Sequence, residues 1–228
     1  MGKNPIIYPD ILGDTTYRFN DQGAFVEMAN TDQVGIRGEV GSISTRKDKK
    51  GKESQQWNAD TYFDLNDPEV DRTQLNSLKV GESALQIVSE GEINDIMESS
   101  EIKPKNLIMR FFFAGTESGS DRDGGNGNKM DFGLKYLGGE PGGKDADSHG
   151  GFFIFGKQNV AYNGMDGGNW LWGHAMQRLG FSYSSAKLGS EGNEKFHDAK
   201  GDQQAIASGF HYYIKNAATA AFKLRNTY

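Results

Sequence analysis

Gly168 to Gly180 reads GNWLWGHAMQRLG. Trp170, Leu171, His174, Ala175, Arg178 and Leu179 recur at helical spacing, and Gly180 stands where a left-handed C-terminal cap would. The stretch therefore predicts a helix. Downstream, Asp202 has the chemistry of a cap for a second helix, with Ile206, Phe210 and Tyr213 on one face. A third short segment, Ala217 to Leu224, closes the helical part.

Upstream the pattern changes. Gly151 to Tyr162 and Asp131 to Leu137 have the length and composition of short strands, and Leu107 to Ala114 (LIMRFFFA) reads as a buried strand. Ser89-Glu90-Gly91-Glu92 has the spacing of a capping box, followed by Ile93, Ile96 and Met97 on one helical face. Thr15 to Met28 alternates on both sides of Asn20-Asp21-Gln22-Gly23, which predicts a hairpin. Val34 to Ile43 reads as a further strand pair punctuated by Gly35, Gly38 and Gly41, and the charged stretch Thr45 to Ser54 as a mobile loop. Strands first and helices last predict an α+β fold. The chain divides on this reading into a β-rich region, 1–115, and a mainly helical region, 116–228. The loose, glycine-rich stretches Thr116 to Lys129 and Gly138 to Gly151 offer little to a core.

Composition narrows the chemistry. The 228 residues include 31 glycines and only 36% hydrophobic residues, so the fold is expected to be rich in loops, with aromatic rings filling much of the core. A formal charge of −6 supplies no global field for nucleic acid or anionic lipid. Arg46, Lys47, Lys49, Lys50 and Lys52 form a local cationic cluster, read as part of the solvated loop. With no cysteine, disulfides, thiolate metal sites and cysteine nucleophiles are excluded. No apolar run approaches a membrane span, and MGKNPIIYPDILGD does not read as a signal peptide, so export would depend on a carrier.

No metal site is expected. His149, His174, His197 and His211 are scattered without ligand spacing, and the calcium-like run from Asp121 to Asn128 lacks the closing glutamate. Neither a nucleophile elbow nor a phosphate loop is present, Gly139 to Lys144 being too weak for one, and no cofactor is implied. Two polar clusters remain. In the first, Asp166 and Asn169 precede Trp170, Trp172 and His174. In the second, His197 and Asp198 precede Asp202 and Gln203. Aspartate and asparagine at helix starts commonly cap, and tryptophans commonly pack. The chemical reading makes Asp166 and Asp202 an acid/base pair with Asp131 and His174 as partners. Asn169, Gln203, Lys129 and Trp172 would hold substrate. Two carboxylates about 5–9 Å apart suit glycoside hydrolysis, whereas a carboxylate with histidine suits phosphodiester or acyl cleavage.

Lys129 to Tyr213 resembles the polymorphic toxin type 44 family, found at the ends of Rhs-type proteins, especially in the Bacteroidetes. The likeness is carried by Lys129-Met-Asp131-Phe, Asn163-Gly-Met-Asp166-Gly-Gly-Asn169-Trp-Leu-Trp172-Gly173, Leu179-Gly-Phe181, Gly201-Asp202-Gln203-Gln-Ala-Ile206 and Gly209-Phe-His-Tyr-Tyr213. Trp172 departs from that pattern, where a tyrosine often stands. Tyr17-Arg-Phe-Asn-Asp-Gln-Gly23 is similar to the hairpins of Rhs shells, and Ile87 to Met97 looks like a helix of the same toxin tails. The resemblance implies an effector delivered by a secretion-system carrier or Rhs shell into a target bacterium, and a cognate immunity protein in the producer. Peptidoglycan hydrolysis in the periplasm leads the chemistries. The alternatives are a nuclease in the target cytoplasm, a non-enzymatic membrane-disrupting toxin acting through Ala205 to Phe222, and a harmless binding module.

Overall fold

The computed structural model describes residues 15–30, 35–103, 106–117, 128–138, 151–193 and 200–225. It confirms an α+β fold, with strands concentrated early and helices late. The chain forms two compact units, Met1–Leu85 and Gln86–Tyr228. That division falls upstream of residue 115, which lies inside a helix, Leu107–Glu117.

In the first unit, β1 (Thr15–Phe19) and β2 (Phe25–Asn30) make the expected antiparallel hairpin. Asn20 nucleates its turn, the side-chain oxygen accepting the backbone N–H groups of Gln22 and Ala24 at 3.0 and 2.9 Å. Gly23 takes φ of +76° there, and a side chain would also strike the Leu85 backbone. β3 (Arg37–Lys47) runs parallel to β1 and antiparallel to β4 (Glu53–Leu65), giving the order β2-β1-β3-β4. The expected strand pair at 34–43 is therefore one strand among the described residues. Gly38 and Gly41 do not punctuate it: a Cβ at Gly38 would overlap the Phe63 ring, and one at Gly41 the Asn58 carbonyl. The expected loop at 45–54 is instead the far end of the β3–β4 hairpin, whose ladder continues to Lys47 opposite Glu53. α1 (Pro68–Ser77) follows, with Asp67 as its cap and Pro68 at its first position. Tyr17, Phe19, Phe25, Phe63 and Leu75 form the buried interior.

β5 (Leu85–Val88) begins at the division between the units, and α2 (Glu90–Ser99) follows in the second. The Ser89–Glu92 capping box forms as expected, burying Ile93 and Met97. Two strand expectations fail. Residues 107–114 belong to helix α3 (Leu107–Glu117), and Ile108, Met109, Phe111 and Phe112 are exposed. Continuous apolarity does not distinguish a strand from a helix. Residues 132–136 form α4 (Phe132–Tyr136), because Asp131 caps the Leu134 N–H at 3.4 Å. The strand expected over 151–162 is two, β6 (Phe152–Phe155) and β7 (Val160–Tyr162), paired antiparallel, and β6 neighbours β5.

Three helices complete the unit: α5 (Gly164–Leu179), α6 (Tyr183–Asn193) and α7 (Lys200–Arg225). Gly180 ends α5 at φ of +88°, as its position predicts. α7 is continuous, so Ala217 to Leu224 is not a separate segment. α5 and α7 pack backbone against backbone. A Cβ on Gly173 would overlap the Ile206 carbonyl, and one on Gly209 the Trp170 carbonyl. The buried Trp170 ring stacks on Phe155 at 4.3 Å, in a core that includes Phe132, Phe153, Tyr162, Leu171 and Phe210.

Candidate functional site

The close α5–α7 crossing sets the geometry of the polar residues at the start of both helices. Asn163, not Asp166 or Asn169, caps α5: its side-chain oxygen accepts the Asp166 N–H at 2.9 Å. Asp166 therefore occupies the third helical position, where a carboxylate meets the positive end of the helix. It is buried, and the Asn163 amide donates to its Oδ2 at 3.4 Å. The Tyr162 hydroxyl lies in the same neighbourhood. Burial pushes its pKa up, the Asp166 charge adds to that, and a hydrogen bond with Ser208 acts against it.

One turn along α5, the Asn169 amide donates to Asp202 Oδ1 at 2.8 Å, joining α5 to the first turn of α7. Asp202 lies within the first turn of α7 rather than at its cap, since the helix already includes Lys200. Its neighbour Gln203 donates to Ser190 Oγ of α6 at 2.8 Å. Asn169 and Asp202 thus join α5 to α7, and Gln203 joins α7 to α6. Asn163 and Tyr162 stand by Asp166, and Ser208 bonds to Tyr162. The signal for Asn163 was its position three residues before Asp166, a cap spacing. Ser190 and Ser208 had no local signal.

The other predicted residues stand apart in role. His174 is buried, and its ring stacks on Trp170 at 5.6 Å with an interplanar angle of 21°. Burial lowers its pKa to about 4, the Arg178 charge adding to the effect and a backbone hydrogen bond with Gly209 opposing it. Its imidazole is consequently neutral near pH 7. Trp172 is half-buried and borders Gly189 of α6. Asp131 serves as the α4 cap, and burial raises its pKa, against its hydrogen bond with the Leu134 N–H and the Lys135 charge. Gly133, two residues later, packs on Gly164 and Gly168 of α5, so the starts of α4 and α5 abut. Lys129 pairs with Glu101 at 2.8 Å and lies over Phe113, and the Glu101 contact raises its pKa.

His149, His197, Asp198 and the stretches 118–127 and 139–150 lie outside the described residues. Among those described, no group of three or more His, Asp or Glu side chains is arranged to hold a metal ion. No helix among them is long and apolar enough to cross a membrane. A shallow depression of about 220 Å³, lined by Gln86, Val88, Glu92, Asp95, Ile96, Tyr136 and Leu137, does not include the carboxylates above. Compared with protein-family models, with curated proteins and with solved structures, the chain matches none.

Proposed function

We propose that the chain is the toxic end of an exported antibacterial effector. On this reading its second unit hydrolyses a polysaccharide, peptidoglycan being the favoured substrate. The observation that carries the chemistry is the 2.8 Å bond from Asn169 to Asp202. It ties Asp202 to Asn169, which lies one turn after the buried Asp166 on α5. Residues three apart on a helix have neighbouring Cβ atoms, about 5–6 Å apart. Glycoside hydrolysis would use the Asp166 and Asp202 carboxylates at a separation of ~5–9 Å. Asp166 and Asp202 would supply the acid and base, with Asn169 and Gln203 orienting hydroxyl groups of the glycan. His174, neutral and enclosed by rings, would support the crossing rather than transfer protons.

The resemblance to toxin type 44 tails supports delivery by a secretion apparatus or Rhs shell into the target periplasm, and a cognate immunity protein in the producer. A second reading, phosphodiester cleavage in the target cytoplasm, uses the same carboxylates, with His174 lying about two turns beyond Asp166 on α5. Growth of a bacterial host carrying the chain, with and without an attached periplasmic signal, separates the two. Wall hydrolysis requires killing only from the periplasm, and killing from the cytoplasm overturns it.

A further inference from the structure

The cationic cluster of the first unit sits on a defined scaffold. Every residue from 42 to 56 is exposed, yet the ladder remains in register from Ser42 opposite Asn58 to Lys47 opposite Glu53. Six residues at ~3.3 Å each make a free two-stranded ribbon roughly 20 Å long. Its base is fixed. Buried Glu39 accepts from Trp57 Nε1 at 2.8 Å and Arg18 Nε at 3.1 Å, and Arg18 lies over the Trp57 ring.

The ribbon carries five cationic residues (Arg46, Lys47, Lys49, Lys50, Lys52) against two acidic ones, Asp48 and Glu53, a local net of +3 in a chain of −6. Both acids are engaged. Asp48 accepts the turn N–H groups of Lys50 and Lys52 at 2.8 and 2.9 Å, and Glu53 pairs with Lys47 at 2.9 Å. Residues opposite one another share a face. Ser42, Ser44, Arg46, Ser54, Gln56 and Asn58 therefore form one face without a carboxylate, all able to donate hydrogen bonds. The Asn58 amide already donates to Ser44 Oγ at 2.9 Å along it.

We propose that the β3–β4 ribbon is an arm that binds duplex nucleic acid, with the face of Ser42, Ser44, Arg46 and Asn58 against the duplex and the lysine tip on its phosphates. Cationic side chains gain affinity by releasing counterions, and hydroxyl and amide groups position the backbone. A two-stranded ribbon also fits the major groove of B-form DNA, which is about 12 Å wide. A lipid surface suits it less, because the turn from Asp48 to Lys52 offers no apolar side chain to insert. The inference rests on neither hydrolytic reading of the second unit.

Fluorescence anisotropy of a labelled 20-base-pair duplex, titrated with the full chain at 50–250 mM KCl, tests it. Four phosphate contacts imply a slope of log affinity against log salt of about −4. Combined R46A, K49A, K50A and K52A should flatten that slope and lower affinity at least tenfold at 50 mM, with circular dichroism and Tm unchanged. Ser44→Glu, which leaves the tip intact, should also weaken binding severalfold. The proposal is overturned if the native chain leaves the duplex unbound at 50 mM, or if either variant binds as well as the native chain. It is likewise overturned if phosphatidylserine vesicles, but not the duplex, are bound through the tip.

Discussion

The α5–α7 crossing and the β3–β4 ribbon spend glycine and charge in opposite ways. At the crossing, Gly173 and Gly209 let two helical backbones touch, and the stacked rings of Phe155, Trp170 and His174 lie beside them. On the ribbon, Gly51 takes φ of +78° in the turn with no heavy atom near its missing side chain, and the surrounding charges face solvent. The first arrangement fixes the fold and holds Asn169 against Asp202. The second leaves its side chains available without contributing to a core. Substitutions should consequently separate stability from surface chemistry.

The largest expected effect is at Gly209. Its Cβ would overlap the Trp170 carbonyl, so Gly209→Ala must part the helices, and we expect a loss of about 3 kcal/mol in urea unfolding despite alanine's better helix propensity. His174 should produce a pH dependence of similar size. Its folded pKa, about 4, lies below the ordinary 6.5. The unfolded chain therefore takes up a proton first as pH falls. The stabilising contribution is complete above pH 6.5 and is lost progressively towards pH 4, up to about 3 kcal/mol in all. His174→Gln should remove that dependence, as followed by Tm against pH.

A smaller effect is expected at Asp131. Asp131→Ala deletes the α4 cap and should cost about 1 kcal/mol, while Asp131→Asn should retain most of it. Smallest of all, Lys49→Ala or Lys50→Ala on the ribbon should shift stability by less than about 0.5 kcal/mol. A large loss there would show that the ribbon, like the crossing, is integral to the core.

The same contrast explains what the sequence disclosed. The Ser89–Glu92 box, the Asn20–Gly23 turn and the Gly180 cap are local, and each forms as its residues predict. Residues 107–114 misled because an apolar run interrupted only by Arg110 shows no clear period, and because Ile108, Phe111 and Phe112 remain exposed on a helix. At 132–136 a cap outweighed the strand-like composition. Gly38 and Gly41 have the composition of turns, but their role is set by Phe63 and Asn58 on the facing strand. The site was legible only in its members. Asp166, Asn169 and Asp202 stood out as residue types, but the bond from Asn169 to Asp202 spans 33 positions and depends on Gly173 and Gly209 being without side chains.

The most direct measurement is digestion of purified sacculi by the native chain and by Asp166→Asn and Asp202→Asn, each first shown to retain its fold by circular dichroism. Soluble muropeptides are expected from the native chain, with a loss of at least a hundredfold in both variants, the scale of a removed general acid or base. Intact sacculi with the native chain, or undiminished release by either folded variant, would contradict wall hydrolysis by this pair.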